Sequence, residues 1–311
     1  MYDRNAVRFF DIAHEGAFIR GARSLIDDGV SSDIAALSPR SLIVIVADEI
    51  SRAAARLACA LLEPAPLPIV VVDELPRFAG ALDVVLMASS KSVTRQERCL
   101  HAADSRGAVT VLLAPPQGPL RAEAPARTVI VPVPPTAAGG SPAAVIATMF
   151  ALVGPLTSPE QAVAENLDLA AAAVDEELLA VSPERDNLVN AARQLQNYAV
   201  DGRIIHAGMS GRSAALAALI ATWWTSKGVV SSALELEELH ASLPNFAQSE
   251  TNIFFDPVDE SSSSMIPLRI VVWAQQESKL PHSIAQSADS DELTLENILR
   301  LTVRGLAAAV V

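Results

Sequence analysis

Five runs of β-branched and aliphatic residues recur in the first half of this 311-residue chain: SLIVIVAD (41–48), PIVVVDEL (68–75), DVVLMASS (83–90), VTVLLAPP (109–116) and TVIVPVP (128–134). None alternates apolar with polar residues. Each must therefore be covered on both faces, as parallel strands between helical layers are. Helical patterns fill the gaps: EISRAAARLACALL follows the first run directly, and another covers 94–106. Strands alternating with helices over short connections predict an α/β fold, a doubly wound and mostly parallel sheet flanked by helices. Ahead of the sheet, Val7, Phe10, Ile12, Ala13, Phe18 and Ile19 recur at helical spacing and predict one N-terminal helix over 6–27, ended by Asp27-Asp28-Gly29. Behind it, PPTAAGGSPAA (134–144) reads as a loop and SPAAVIATMFALVG as a helix.

From Ser158 to Asp201 the strand signal vanishes. Two helices are expected there, Pro159 to Val181 and Pro183 to Ala199, each opened by a Ser-Pro pair that supplies an N-cap hydroxyl before a first-turn proline. A second α/β unit then begins with RIIHAGMSGRSAALAALIATWWTSKG (203–228), an apolar run, a glycine turn and a helix. Gly208, Ser210, Gly211 and Ser213 in that turn would let amides and hydroxyls approach a phosphate or carboxylate at a helix N-terminus. A plain strand-to-helix turn has the same composition. The unit continues through Val229 to Glu238, NIFFDP (252–257) and LRIVVWAQ (268–275), and closes with a helix over Leu293 to Val311; PVDESSSSM between its last strands reads as a surface loop. The expected domains are 1–157 and 158–311.

A chain that is 50% hydrophobic, with mean hydropathy +0.31, has ample material for a large core. Its net charge of −13, with 23 scattered basic residues, excludes nucleic acid and anionic membrane as general partners. An acidic ligand would have to be held locally, by amides and hydroxyls. Cys59 and Cys99 both lie in helical patterns, so neither a disulfide framework nor a metal-ligand spacing exists; no metal and no cofactor is expected. The charged N-terminus lacks a signal core and no run reaches about 18 apolar residues, which points to a cytoplasmic protein.

The order of elements and several short motifs resemble the bifunctional phosphoglucose/phosphomannose isomerases, built from two sugar-isomerase (SIS) domains. The family's first glycine loop, GMGGSAIGG, falls on the segment from Ala47 to Arg52 and matches at Ser51. Its phosphate loop, SYSGNTEE, falls on Ser89 to Gln96, with Ser89 and Thr94 kept and Ser92 and Lys91 beside them. Its Pro-Arg pair falls on Pro135-Thr136, and its NPAK helix start on Asn190 to Arg193. Its NENAK segment and the ELNH that follows at fixed distance align without a gap on Trp223 to Lys227 and on Glu237-Glu238-Leu239-His240.

The resemblance implies two SIS-type domains, a sugar phosphate held by Ser51, Ser89, Lys91, Ser92 and Thr94, and a homodimer. It also implies that a glutamate moves the proton between carbons and a histidine opens the sugar ring. At the glutamate's position stands Trp224, at the arginine's Thr136, and no lysine follows Lys279. His240 alone remains of the catalytic set. Asp48 and Glu49 replace glycines near the phosphate site. The expectation is a divergent phosphosugar-binding protein of SIS fold, without isomerase activity and with a regulatory or binding role. The alternative is an active isomerase using His240 and a substitute carboxylate among Glu235, Glu237 and Glu238. His14, His101, His206 and His282 show no partner spacing and are read as structural.

Overall fold

The computed structural model describes residues 4–90, 94–136, 140–247, 267–288, 290 and 292–310. Lys91, Ser92, the NIFFDP strand and the PVDESSSSM loop lie outside the described residues. All five apolar runs of the first half form strands: β1 (Ser41–Val46), β2 (Ile69–Val72), β3 (Asp83–Ala88), β4 (Val109–Leu113) and β5 (Val129–Ile130). They pair in parallel in the order β2-β1-β3-β4-β5, with Ser41 beside Asp83 and Val46 beside Ala88. Both faces are covered. Leu42, Val44 and Val46 point into the large core, while Ile43 and Ile45 join Val85, Met87 and Cys99 on the other side. This explains why the runs carry no polar alternation.

Among the described residues the second unit has a parallel four-stranded sheet, β7-β6-β8-β9, from β6 (Arg203–Gly208), β7 (Ser231–Glu235), β8 (Leu268–Trp273) and β9 (Ser283–Gln286). Helix α4 (Glu49–Leu61) follows β1 and α5 (Thr94–Ser105) follows β3. Helix α10 (Gly211–Ser226) follows β6 and packs across onto α4. The Arg212 guanidinium reinforces that junction, donating to the carbonyls of Ala60, Glu63 and Leu293. Helices α2 (Glu15–Asp27), α7 (Pro142–Val153), α8 (Glu160–Ala180) and α12 (Leu295–Ala307) complete the core between the sheets. The α/β architecture with two helix-flanked parallel sheets is as the sequence implies.

Four local expectations are corrected. The N-terminal region is three helices, α1 (Arg4–Phe9), α2 and α3 (Val30–Ala36), because residues 10–14 form turns and left-handed Gly29 starts a new helix. Helix α9 spans only Ala191–Ala199. Its cap is Asn190, which accepts from the Arg193 amide and donates to the Ser182 carbonyl, so the amide at Asn190 outcompetes the Ser182 hydroxyl and 183–190 stays in turns. Pro159 rather than Ser158 caps α8, without a side-chain bond. The segment expected over Val229 to Glu238 is strand only to Glu235, and Leu236–Ala247 is helix α11, since Leu236, Leu239, Leu243 and Phe246 recur at helical spacing and pack together under the second sheet. Short β9, SIAQ, carries no continuous apolar run.

Glu15, first residue of α2, is buried against the start of α7, where it accepts from the Ser141 hydroxyl (2.7 Å) and the Ala143 amide (3.0 Å). Burial pushes its carboxyl from 4.5 to about 7, outweighing those two bonds. The folded state thus holds an extra proton between these values. The associated stabilisation is complete below about pH 4.5 and disappears as pH rises through about 7. The gap between the two values corresponds to on the order of 3 kcal/mol. Denaturant unfolding of the wild type should show stability falling across that window, whereas Glu15→Gln should flatten the profile; an unchanged slope in the variant would assign it to other groups.

Candidate functional site

At the carboxyl ends of β1 and β3, where ligands bind in open α/β sheets, a cavity of about 390 Å³ opens between the two units. Its floor comes from the first unit. Asp48 ends the β1 connection and caps α4, Ser51 sits in the first turn of that helix, and Ser90 follows β3. Gly140 packs so close to Ser90 that a Cβ there would lie 2.6 Å from the Ser90 Cβ, so any larger residue would push Ser90 away. Ser141, which caps α7 and donates to Glu15, lines the same floor.

The floor is organised by one carboxylate. Oδ1 of Asp48 accepts from the Ser51 amide (2.8 Å); Oδ2 accepts from the Ser51 hydroxyl (2.9 Å), the Ser90 hydroxyl (2.8 Å) and the Ser90 amide (3.3 Å). Burial alone would raise the Asp48 carboxyl, but these four donors together hold it below its ordinary value. It is therefore a poor base. In the sequence Asp48 reads as a replacement for glycine near the phosphate site. The structure shows it instead as the anion that the serine hydroxyls and amides surround.

The walls come from α10 and from the turns ahead of α2. Trp223 lines the cavity though nearly buried, its Nε1 donates to the Leu306 carbonyl (3.1 Å), and the Lys227 ammonium lies 4.5 Å from its centroid. Lys227 is also paired with Asp11 at 3.2 Å. Opposite stands Phe10, edge-on to the His14 ring, and His14 Nε2 shares a 2.9 Å hydrogen bond with the Thr136 hydroxyl. Asp11, Asp48, His14, Trp223 and Lys227 were not picked out as site residues from the sequence. The only available signal was the alignment of Trp223 and Lys227 with a family motif.

Trp224 points the other way. Its indole is buried, donates to the Gly305 carbonyl (2.7 Å) and meets His206 edge-on at 4.8 Å, so it does not fill the cleft. His206 is the core residue expected. Its Nδ1 accepts from Trp273 Nε1 (3.0 Å), and burial pushes its pKa down to about 3. Of the other sequence candidates, Ser51 lines the cleft, buried Ser89 lies one residue behind Ser90, and Thr94 is exposed at the start of α5. Ser210 and Ser213 form a capping box, each side chain accepting from the other's amide, and Ser213 also donates to the Ser210 carbonyl. Gly208 sits where a Cβ would meet the Ser213 backbone at 2.2 Å, so it serves close packing of β6 on α10. Gly211 is in open space. His240 is exposed on α11 and, like Glu237, does not line this cleft; Glu235 and Glu238 border a separate opening beside Arg52 and Arg56. Among the described residues no group of three or more His, Cys, Asp or Glu is arranged to hold a metal, and no helix is long and apolar enough to cross a membrane.

The fold is that of the sugar-isomerase (SIS) proteins. The chain superposes on the C-terminal domain of glucosamine-fructose-6-phosphate aminotransferase from Francisella tularensis with a TM-score of 0.66, over 99% of this chain and 95% of that one, at 12% identity. Tagatose-6-phosphate ketose/aldose isomerase from Escherichia coli is similar with a TM-score of 0.61, covering 96% and 91%, also at 12% identity. No protein-family model and no curated protein sequence matches the chain.

Restoring a carboxylate at the aligned position should not rebuild a proton-transfer site. Trp224→Glu would bury an unpaired charge beside His206 and orphan the Gly305 carbonyl, costing on the order of 3–5 kcal/mol. A lowered melting temperature without gain of aldose–ketose interconversion is the expected result. A stable variant that converts fructose 6-phosphate would contradict the position described for residue 224.

Proposed function

We propose that this chain is a sugar-binding protein on a sugar-isomerase scaffold, without aldose–ketose isomerase activity of its own. The observation that carries this reading is the state of the carboxylates lining the cleft. Proton abstraction from carbon needs a free base held over the substrate. Four donors hold the Asp48 carboxyl below its ordinary value and so weaken it as a base, and Asp11 is paired with Lys227. The position aligned with the family's glutamate turns its side chain into the core.

Binding has better support than chemistry. The cavity, about 390 Å³, falls in the size range of small-molecule sites, with apolar walls and a few fixed polar groups. A pyranose presents one apolar C–H face and a rim of hydroxyls, which suits the Trp223 and Phe10 rings set against His14, Thr136, Ser141 and Asp48. The two solved structures of like fold named above carry names of proteins acting on sugar phosphates. That agreement of fold supports a sugar as ligand class, and a regulatory or carrier role follows from binding without turnover.

Incubation of the purified protein with fructose 6-phosphate should yield neither glucose 6-phosphate nor mannose 6-phosphate. In a panel of hexoses, at least one should change the tryptophan emission, and Trp223→Phe should abolish the change while Trp224 and Trp273, buried elsewhere, remain. Turnover that survives purification and is lost in His240→Ala would instead establish the isomerase.

A further inference from the structure

We infer that the ligand of the cleft is an unphosphorylated sugar, because the Asp48 carboxylate already occupies the hydroxyl-and-amide cradle that an ester phosphate would need. This deepens the sugar-binding reading and rests on it. The cradle's specificity is shown by what it holds. Four donors from two separate segments converge on one anionic side chain, at distances of 2.8 to 3.3 Å. Two of them are backbone amides, one in the first turn of the 13-residue helix α4, where the helix dipole favours negative charge. Such a set would suit a phosphate equally well, but with Asp48 in place none of these donors is left over.

A dianionic phosphate could enter only by expelling the carboxylate, which would then stand beside it as a like charge. The remaining charges do not compensate. Among the described residues Lys227 is the lysine or arginine lining the cleft, and it is already paired with Asp11 and seated on Trp223. Among the described residues, two carboxylates against one ammonium leave the lining net negative, the wrong sign for a phosphate ester. A neutral sugar meets no such barrier. Oδ1 of Asp48 accepts one of the four bonds and Oδ2 three, which leaves Oδ1 with acceptor capacity for a sugar hydroxyl. Exposed Phe10 and the nearly buried Trp223 supply the apolar part of the lining.

Calorimetric titration of the full chain with glucose, mannose and their 6-phosphates tests this. At least one free hexose should bind the wild type, Trp223→Ala should abolish that binding, and the corresponding 6-phosphate should bind at least tenfold more weakly. Emptying the cradle should reverse the preference: Asp48→Gly should strengthen the 6-phosphate at least tenfold, and Asp48→Ser, which keeps a helix-capping hydroxyl, should do the same if the glycine variant does not fold. A wild type that binds the ester as tightly as the free sugar, or more tightly, overturns the inference and leaves the sugar-binding reading standing. Absence of binding by every hexose and ester, in the wild type and in both Asp48 variants, overturns that reading as well.

Discussion

Two segments 42 residues apart meet on the carboxylate of Asp48, and the floor of the cleft depends on that meeting. Through Ser51 the carboxylate caps helix α4; through Ser90 it fixes the chain leaving β3. Gly140 then closes against Ser90 with no room for a side chain, which sets the start of α7. One half-buried anion thus does locally what a bound phosphate does at a helix N-terminus, satisfying amides and hydroxyls that would otherwise face solvent. The consequence is a pre-formed floor with its anion position taken.

The upper wall depends on a different device. Helix α10 reaches from the second unit across to α4 and carries consecutive indoles into the core, of which Trp223 also borders the cleft and Trp224 does not. Both anchor to successive carbonyls at the end of α12, Leu306 and Gly305. These bonds fix the rotation of α10 about its axis. They thereby decide that an aromatic face, with Lys227 over it, borders the cavity. Arg212 pins the same helix to α4 from its other end. The cleft is therefore walled by elements whose placement follows from packing between the two units.

Much of this was legible in the sequence, and the exceptions have physical causes. The central strands declared themselves because burial on both faces removes polar alternation, as in SLIVIV and DVVLMA. The edge strand SIAQ, half-buried, has no such signature. Helix α9 began later than expected because the side chain of Asn190 makes two well-formed bonds where Ser182 offers one long contact. At the site, alignment led to residue 224, but adjacent positions on a helix point about 100° apart, and the residue facing the cavity is 223. Position 48 reads in the sequence as a loss of glycine. That the serines would turn toward Asp48, rather than remain open beside it, is a three-dimensional outcome that no spacing of residues announces. His14 and Thr136, 122 residues apart, likewise meet only in the folded chain.

The most direct measurement of the central claim is a carbon-detected NMR titration of the Asp48 side-chain carboxyl, first against pH and then against inorganic phosphate. With four donors in place the carboxyl should titrate below the ordinary aspartate range, and saturating phosphate should leave its resonance where it was. Ordinary titration, or a saturable shift on adding phosphate, would mean that the cradle is open to an outside anion and that Asp48 does not fill it.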